Sequence, residues 1–170
     1  MTGHNSIKMA ELSLIYKQVG FKENKTYIQS GNVVFKSGPA ISEKEMSGKI
    51  ERAIFEKYGY NVPVMIRNID EVKILFSTNP FLEIENFDPS KMAVVFLHEI
   101  VTDIQLEKMR NINYPPDKYQ IAGREIFIYC PNGFGRTKLY TNFFEAKMGV
   151  TGTARNWKTI TSILSLAEGI

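Results

Sequence analysis

The order of the predicted helices and strands constrains the fold of this chain more than any single motif does. A pair of short β-prone runs joined by turn residues occurs in each half, at 26–35 and at 119–129. Helical patterns precede and follow both hairpins. The predicted orders are α-β-β-α-β-α and β-α-β-β-α-(β)-α, which agree if the first half lacks one strand at its beginning.

The remaining elements follow from hydrophobic periodicity and from capping residues. The predicted helices cover 7–19, 43–58, 69–76, 103–111, 137–148 and a final stretch from Trp157 to Ala167. Two apolar runs, 62–66 and 92–97, predict buried strands, and 149–154 is predicted to be extended or loop. The predicted N-caps of three helices are Ser42, Asn68 or Asp70, and Thr102 or Asp103.

Each half is thus predicted to be a split β-α-β unit, the ferredoxin-like arrangement in which helices pack on an antiparallel sheet. The predicted fold class is α+β, with a first subdomain at 1–86 that lacks its N-terminal strand. The second subdomain, 87–170, carries an extra C-terminal helix. The boundary is placed near residues 86–90, where a Phe-Asp-Pro-Ser turn interrupts the apolar pattern.

Composition restricts the classes of function. The chain has 170 residues, 44% of them hydrophobic, enough to bury a core without disulfides or metals. The one cysteine, Cys130, excludes an intramolecular disulfide and favours a reducing, cytoplasmic location. With only His4 and His98 beside it, neither a metal site nor a cofactor is predicted. No apolar run approaches the ~20 residues of a membrane span, so no membrane partner is expected, whereas the net charge of +3 permits an anionic one.

Three stretches of the sequence carry a family resemblance. They are Asn5 with Met-Ala-Glu-Leu at 9–12, then Thr-Tyr-Ile-Gln-Ser-Gly-Asn-Val-Val-Phe at 26–35, and finally Arg-Thr-Lys-Leu at 136–139 with Phe-Phe-Glu at 143–145 leading to Thr-Ala-Arg-Asn-Trp at 153–157. Over essentially its whole length the chain resembles the bacterial family called domain of unknown function 1697 (DUF1697). The resemblance implies an α+β fold of this element order, and it implies no activity.

The start of the chain departs from that family. Its members usually open with a strand ending in Arg-Gly-Ile-Asn-Val-Gly-Gly, whereas residues 2–5, Thr-Gly-His-Asn, stand where that run ends. In a ferredoxin-like sheet this strand is central, so its absence opens a position between 32–35 and 62–66. Three arrangements would fill it: direct pairing of those two segments, a strand donated by a second chain in a homodimer, or a strand encoded upstream of Met1. The third is favoured, because the missing piece coincides with the strand that the family carries.

The loop at 131–138, Pro-Asn-Gly-Phe-Gly-Arg-Thr-Lys, is the first candidate site. A glycine-containing loop between a strand and a helix can direct backbone N–H groups at an anion, which the helix dipole also favours. Arg136 and Lys138 are predicted in or beside the first helical turn, where a cation is disfavoured unless an anion shares the site. The loop lacks the Gly-Lys-Thr/Ser of a nucleotide-triphosphate loop. The alternative is a plain turn with two solvated cations.

Arg155 and Asn156 form the second candidate site. Asn156 is a predicted N-cap for the last helix, and Arg155 again puts a cation close to a helix start. We predict that Arg155 and Lys138 approach a common cleft and share an anionic ligand. The alternative pairs Arg155 with a carboxylate and puts Trp157 in the core.

Two further groups of residues have a functional and a structural interpretation. Gln29, Ser30 and Asn32 at the first hairpin tip offer neutral polar groups to a ligand, although such residues more often only build the turn. Cys130 has no histidine close in sequence, and a small buried role is predicted for it rather than nucleophilic catalysis.

The leading functional hypothesis is a binding protein for a phosphate-bearing or other anionic ligand, either a small molecule or nucleic acid. An enzyme acting on such a substrate is the first alternative, with the same cations stabilising charge and an unidentified general base. A structural or self-associating protein is the second alternative. No catalytic residue is assigned from the sequence.

Overall fold

The computed structural model describes residues 5–28 and 30–170, and this part of the chain is a mixed α+β structure with two antiparallel sheets. Its helices and strands are α1 (Met9–Gln18), β1 (Asn24–Tyr27), β2 (Asn32–Phe35), α2 (Glu43–Tyr58), α3 (Ile69–Ser77), β3 (Met92–Leu97), α4 (Asp103–Met109), β4 (Lys118–Ala122), β5 (Glu125–Tyr129), α5 (Thr141–Met148), β6 (Gly152–Asn156) and α6 (Trp157–Glu168). The chain forms two compact units. The first unit is Met1–Ile66 with Ser162–Ile170, and the second unit is Arg67–Thr161.

The first unit is built on the hairpin of β1 and β2. The two strands pair antiparallel, with Tyr27 opposite Asn32 at the closed end. Apolar residues of α1, α2 and the hairpin form one core. A hydrogen bond from the Tyr58 hydroxyl to the Glu11 Oε2 (2.8 Å) joins the two helices at its margin.

Residues 62–66 do not form the strand that their apolar run predicts. In the described part of the chain β2 pairs only with β1, so direct pairing of 32–35 with 62–66 is not formed. The segment is held instead by its side chains, since Val62, Val64 and Ile66 pack on the first core. The Val64 N–H also donates to the Glu51 Oε1 (2.9 Å). An apolar run therefore indicated burial correctly, but a strand also needs a neighbour to pair with.

The second unit contains a four-stranded sheet in the order β4-β5-β3-β6, with every neighbouring pair antiparallel. One face, with Val95 and Ile126, packs on α4 and α5 in a core that includes Met109 and Phe144. The other face packs on α3, the segment after it and the start of α6; its core residues are Leu75, Phe81, Met92, Val94, Phe127, Tyr129, Trp157 and Ile160. Because both faces of β3 are covered, its sequence is a continuous apolar run.

The division between the units differs from the boundary near 86–90 that the sequence suggests. Leu75 and Phe81 belong to the core on the second unit's sheet, and Phe87 packs against it with its ring 5.4 Å from that of Tyr129. These contacts attach the whole of α3 and the segment after it to the second sheet. The turn at 86–90 therefore interrupts the apolar pattern without separating two cores.

Gly152 supports a stability prediction for the second sheet. A Cβ at this position would lie 2.8 Å from the Val95 Cγ1 and 2.9 Å from the Leu97 Cδ2, both far closer than ordinary contact. Gly152→Ala is therefore expected to destabilise the protein by about 1–3 kcal/mol through overpacking. Gly48→Ala is the control, because Gly48 lies in α2 with open space around it and alanine there should stabilise by about 0.5–1 kcal/mol. Urea unfolding measures both, and equal effects would mean that β6 shifts freely at the sheet edge.

Candidate functional site

The first candidate site follows β5 and leads into α5, but the helix begins later than predicted. Residues Phe134–Arg136 form a single 3-10 turn, Thr137 is extended, and α5 starts at Thr141 rather than at 137. Leu139 occupies the core instead of a helical turn. Arg136 and Lys138 are therefore not in the first turn of a helix, and the dipole argument for them is wrong.

Thr137 fixes the backbone of this segment. Its hydroxyl donates to the Asp117 Oδ2 (2.7 Å) and accepts from the Leu139 N–H (3.0 Å). The Cys130 thiol donates to the same hydroxyl oxygen at 3.4 Å. Burial is the main cause that raises the pKa of the Cys130 thiol, so this residue is a neutral part of the core. The segment is anchored from beneath, which leaves its outer side chains on a fixed backbone.

Three cations lie along the anchored segment. Arg136 and Lys138 are exposed, and the Lys138 Nζ lies 5.1 Å from the centre of the Tyr114 ring, within cation–π distance. Lys91 joins them from the start of β3, since a Cβ built on Gly133 would lie 3.8 Å from the Lys91 Nζ. Gly133 has φ of 85°, a backbone conformation that favours glycine.

Arg155 lies in β6, two residues before α6 begins, and its environment differs from that of Lys138. It stands opposite Val94, so its side chain is on the sheet face of Phe127 and Trp157. Its Nη1 donates to the Thr153 Oγ1 and to the Ala154 carbonyl, both at 2.7 Å. Burial lowers the pKa of this guanidinium.

Lys138 and Arg155 are not brought together. Lys138 covers Tyr114, which packs against the core on the opposite face of the same sheet. The expectation of one cleft shared by these two cations is therefore wrong. Asn156 does act as an N-cap, with its Oδ1 accepting the Thr159 N–H (2.8 Å), and Trp157 is buried with its ring 4.5 Å from that of Phe76.

The first hairpin tip is built by its own polar groups. The Asn32 Nδ2 donates to the Tyr27 carbonyl (3.1 Å) and to the Ser30 Oγ (2.7 Å), and Gly31 has φ of 82°. These contacts are those of a turn. Gln29, the third residue predicted there, lies outside the described residues.

The second unit contains a charged cluster that the sequence analysis does not predict. The Arg67 side chain is 6% exposed; its Nε donates to the Glu125 Oε1 (2.7 Å), and its Nη2 to the carbonyls of Leu97 (2.7 Å) and Arg124 (3.1 Å). The Arg124 Nη2 in turn pairs with the Glu71 Oε1 at 2.8 Å. These contacts satisfy carbonyls at the end of the sheet and hold α3 to it, which is a structural role.

Two further observations concern metal ions and membranes. Residues 5–28 and 30–170 contain no group of three or more His, Cys, Asp or Glu side chains arranged to hold a metal ion. None of the helices in this same part of the chain has the length and apolar character needed to cross a lipid bilayer.

Comparison with known proteins agrees with an α+β protein of this element order. The model of the family described as Protein of unknown function (DUF1697) matches residues 1–127, and the chain belongs to this family. The match ends before the loop at 131–138, so the stretches at 136–139 and 153–157 lie beyond it.

A solved structure shares the fold. The chain is similar to the conserved bacterial protein SP0830 from Streptococcus pneumoniae, with 18% identity and a TM-score of 0.76 over 98% of this chain and 92% of that chain. At this identity the similarity shows the fold alone. No curated protein matches the chain.

Proposed function

We propose that the second unit binds a phosphate-bearing or otherwise anionic ligand at residues 131–140. The observation that carries the proposal is the gathering of Lys91, Arg136 and Lys138 along one anchored loop. In the part of the chain that the structure describes, no carboxylate forms an ion pair with any of the three. The hydrogen bonds from Ser90, together with the charge of Lys91, lower the pKa of the Asp88 carboxyl, so Lys91 has a protein carboxylate near it. Arg136 and Lys138 form no ion pair within the described residues and favour an anion from outside. A cytoplasmic location, which the single cysteine favours, belongs to the same proposal.

The carboxylate that bonds to the segment itself, that of Asp117, forms no ion pair with these cations. Asp117 accepts a hydrogen bond from the Thr137 hydroxyl, beneath the segment. An enzymatic alternative would need a general base beside the ligand, and Asp117 is the acidic group held against this loop. Its engagement with Thr137 favours binding over catalysis.

We also infer that the second unit is a complete split β-α-β, or ferredoxin-like, unit. The chain order β3-α4-β4-β5-α5-β6 combined with the sheet order β4-β5-β3-β6 supports this inference. The first unit has the order α1-β1-β2-α2 followed by residues 62–66, which stand where the last strand would be, so its order is the same without its first strand.

The binding proposal is tested with inorganic pyrophosphate and the double variant Arg136→Gln/Lys138→Gln. Each cation is expected to contribute a charge-assisted hydrogen bond of about 1.5–3 kcal/mol, so the variant should bind at least about tenfold more weakly in calorimetric titration at low salt. Lys108→Gln is the matched control, an exposed lysine on α4 of the same unit. Pyrophosphate that neither binds the wild-type protein nor raises its melting temperature would contradict the proposal.

A further inference from the structure

We infer that the anion bound at residues 131–140 is single-stranded nucleic acid, an inference that rests on the proposed anion site. The exposed side chains of this segment include two basic residues flanked by two aromatic ones. Phe134 is 39% exposed and Tyr140 55% exposed, with the exposed Arg136 and Lys138 between them. Basic and aromatic side chains exposed on one short segment suit a ligand that carries both phosphates and flat rings.

The inward side chains explain why the outward ones form one surface. Thr137 bonds to Asp117, and Leu139 fills the core, so the residues between and beside them are left facing solvent. Thr137 is extended, so Arg136 and Lys138 on either side of it face away from its inward side chain. Tyr140 is exposed beyond the buried Leu139, and Phe134 is exposed at the start of the 3-10 turn. We call these four exposed residues, Phe134, Arg136, Lys138 and Tyr140, the basic–aromatic surface.

The basic–aromatic surface is organised before any ligand binds. The Tyr140 carbonyl accepts the Phe143 N–H (3.0 Å) and the Phe144 N–H (3.4 Å), which fixes the backbone where α5 begins. The Tyr114 ring holds the Lys138 ammonium. A surface that loses little freedom on binding gains affinity from each contact that it makes.

Exposed rings distinguish nucleic acid from a simple phosphate. A phosphate or polyphosphate would contact Lys91, Arg136 and Lys138 but would gain nothing from Phe134 and Tyr140. Bases stack on aromatic side chains whatever their sequence, provided that they are not already stacked and paired in a duplex. Residues 131–140 contain one short 3-10 turn and no α-helix, so the segment itself offers no α-helix to enter the major groove of DNA.

The charges set the expected dependence of binding on salt. Binding to single strands changes log Kobs by roughly −0.7 per neutralised phosphate for each unit of log salt concentration. Three cations at the surface therefore predict a slope of about −2. Arg136→Gln/Lys138→Gln should reduce the magnitude of this slope by more than half, whereas replacing the aromatic residues should leave it unchanged.

The test measures fluorescence anisotropy of labelled dT15 and U15, with inorganic polyphosphate and a 15-base-pair duplex as comparison probes. In the variant Phe134→Leu/Tyr140→Leu the rings are removed but apolar side chains are kept. We expect it to bind dT15 or U15 at least tenfold more weakly than wild type while binding polyphosphate equally. Phe55→Leu, at an exposed phenylalanine of α2 in the first unit, is the control and should bind as wild type does. Whichever of dT15 and U15 binds more tightly identifies DNA or RNA as the source.

The outcomes separate this inference from the proposed function. If polyphosphate binds as tightly as dT15 and U15 and the leucine variant matches wild type, the nucleic-acid inference is wrong and the anion site stands. Tighter binding of the duplex than of single strands would overturn the single-strand assignment. If no probe binds, or if Arg136→Gln/Lys138→Gln changes nothing while its melting temperature is normal, the proposed anion site itself is wrong.

Discussion

Arg67→Ala is expected to destabilise the second unit by about 3–5 kcal/mol, the usual cost of breaking a buried ion pair from one side. The substitution leaves the Glu125 carboxylate, whose side chain is 16% exposed, without the Arg67 guanidinium. It also removes the hydrogen bonds that Arg67 donates to the carbonyls of Leu97 and Arg124, of which the Arg124 carbonyl keeps the Leu97 N–H. Against a total stability of ~5–15 kcal/mol, this loss is a large fraction.

Urea unfolding followed by tryptophan fluorescence measures this effect directly, because the chain has one tryptophan and it is buried in the second unit's core. Arg110→Ala is the matched control: it breaks the exposed pair with Glu107 and should cost less than about 1 kcal/mol. The double variant Arg67→Met/Glu125→Leu should recover part of the loss, since it removes the buried carboxylate but still leaves the carbonyls without Arg67. Similar losses for Arg67→Ala and Arg110→Ala would contradict the buried role of Arg67.

Elements that depend on near neighbours could be predicted from the sequence. Ser42, Asn68 and Thr102 each accept the backbone N–H three residues ahead, so the predicted caps form, with Asn68 rather than Asp70 and Thr102 rather than Asp103 in the cap position. Asn156 was predicted to cap α6 and does so. A cap requires only a short polar side chain and the turn that follows it, so the sequence within four positions is sufficient.

Elements that depend on distant residues could not be predicted. The helix after β5 begins only at Thr141, behind a 3-10 turn and Thr137, whose hydroxyl bonds to Asp117 on the far side of a hairpin in the chain. The helical periodicity at 137–148 carries no sign of that bond. Residues 62–66 show the same limit, since whether an apolar run forms a strand depends on the chain beside it.

The candidate site was found in part. Arg136 and Lys138 stood out as cations beside glycines, but Lys91 is 45 positions before Arg136 in the sequence and no local motif marks it. The register of β3 with β5 brings it close, because Met92 pairs with Tyr129 and the Cys130 N–H donates to the Lys91 carbonyl (2.9 Å). The sequence analysis groups Arg155 with Lys138 because both are predicted close to a helix start. The sequence does not show on which face of the sheet each side chain lies.

Trp157→Ala is expected to cost about 3–5 kcal/mol of stability, as large aromatic-to-alanine changes in cores do. Trp157 is buried on the sheet face of Val94 and Phe127, and its ring packs against Phe76. Trp157→Phe keeps an aromatic ring in that space and should cost less. Phe55→Ala, at an exposed ring on α2, should change stability by no more than about 0.5 kcal/mol. Far-UV circular dichroism in urea compares the three variants.

Ligand affinity measured on a Trp157 variant shows whether this residue serves only the core or also stacks on a ligand. Leu139 of the proposed anion-binding segment packs in the core on the face opposite that of Trp157, so the substitution Trp157→Phe should leave the affinity for pyrophosphate and for dT15 within about twofold of wild type. That variant is used for binding because it retains the packing that Trp157→Ala removes. If Trp157→Phe kept its stability but lost affinity for dT15, the tryptophan would be a stacking residue, and the site would have to be moved from residues 131–140 to the opposite face of the sheet.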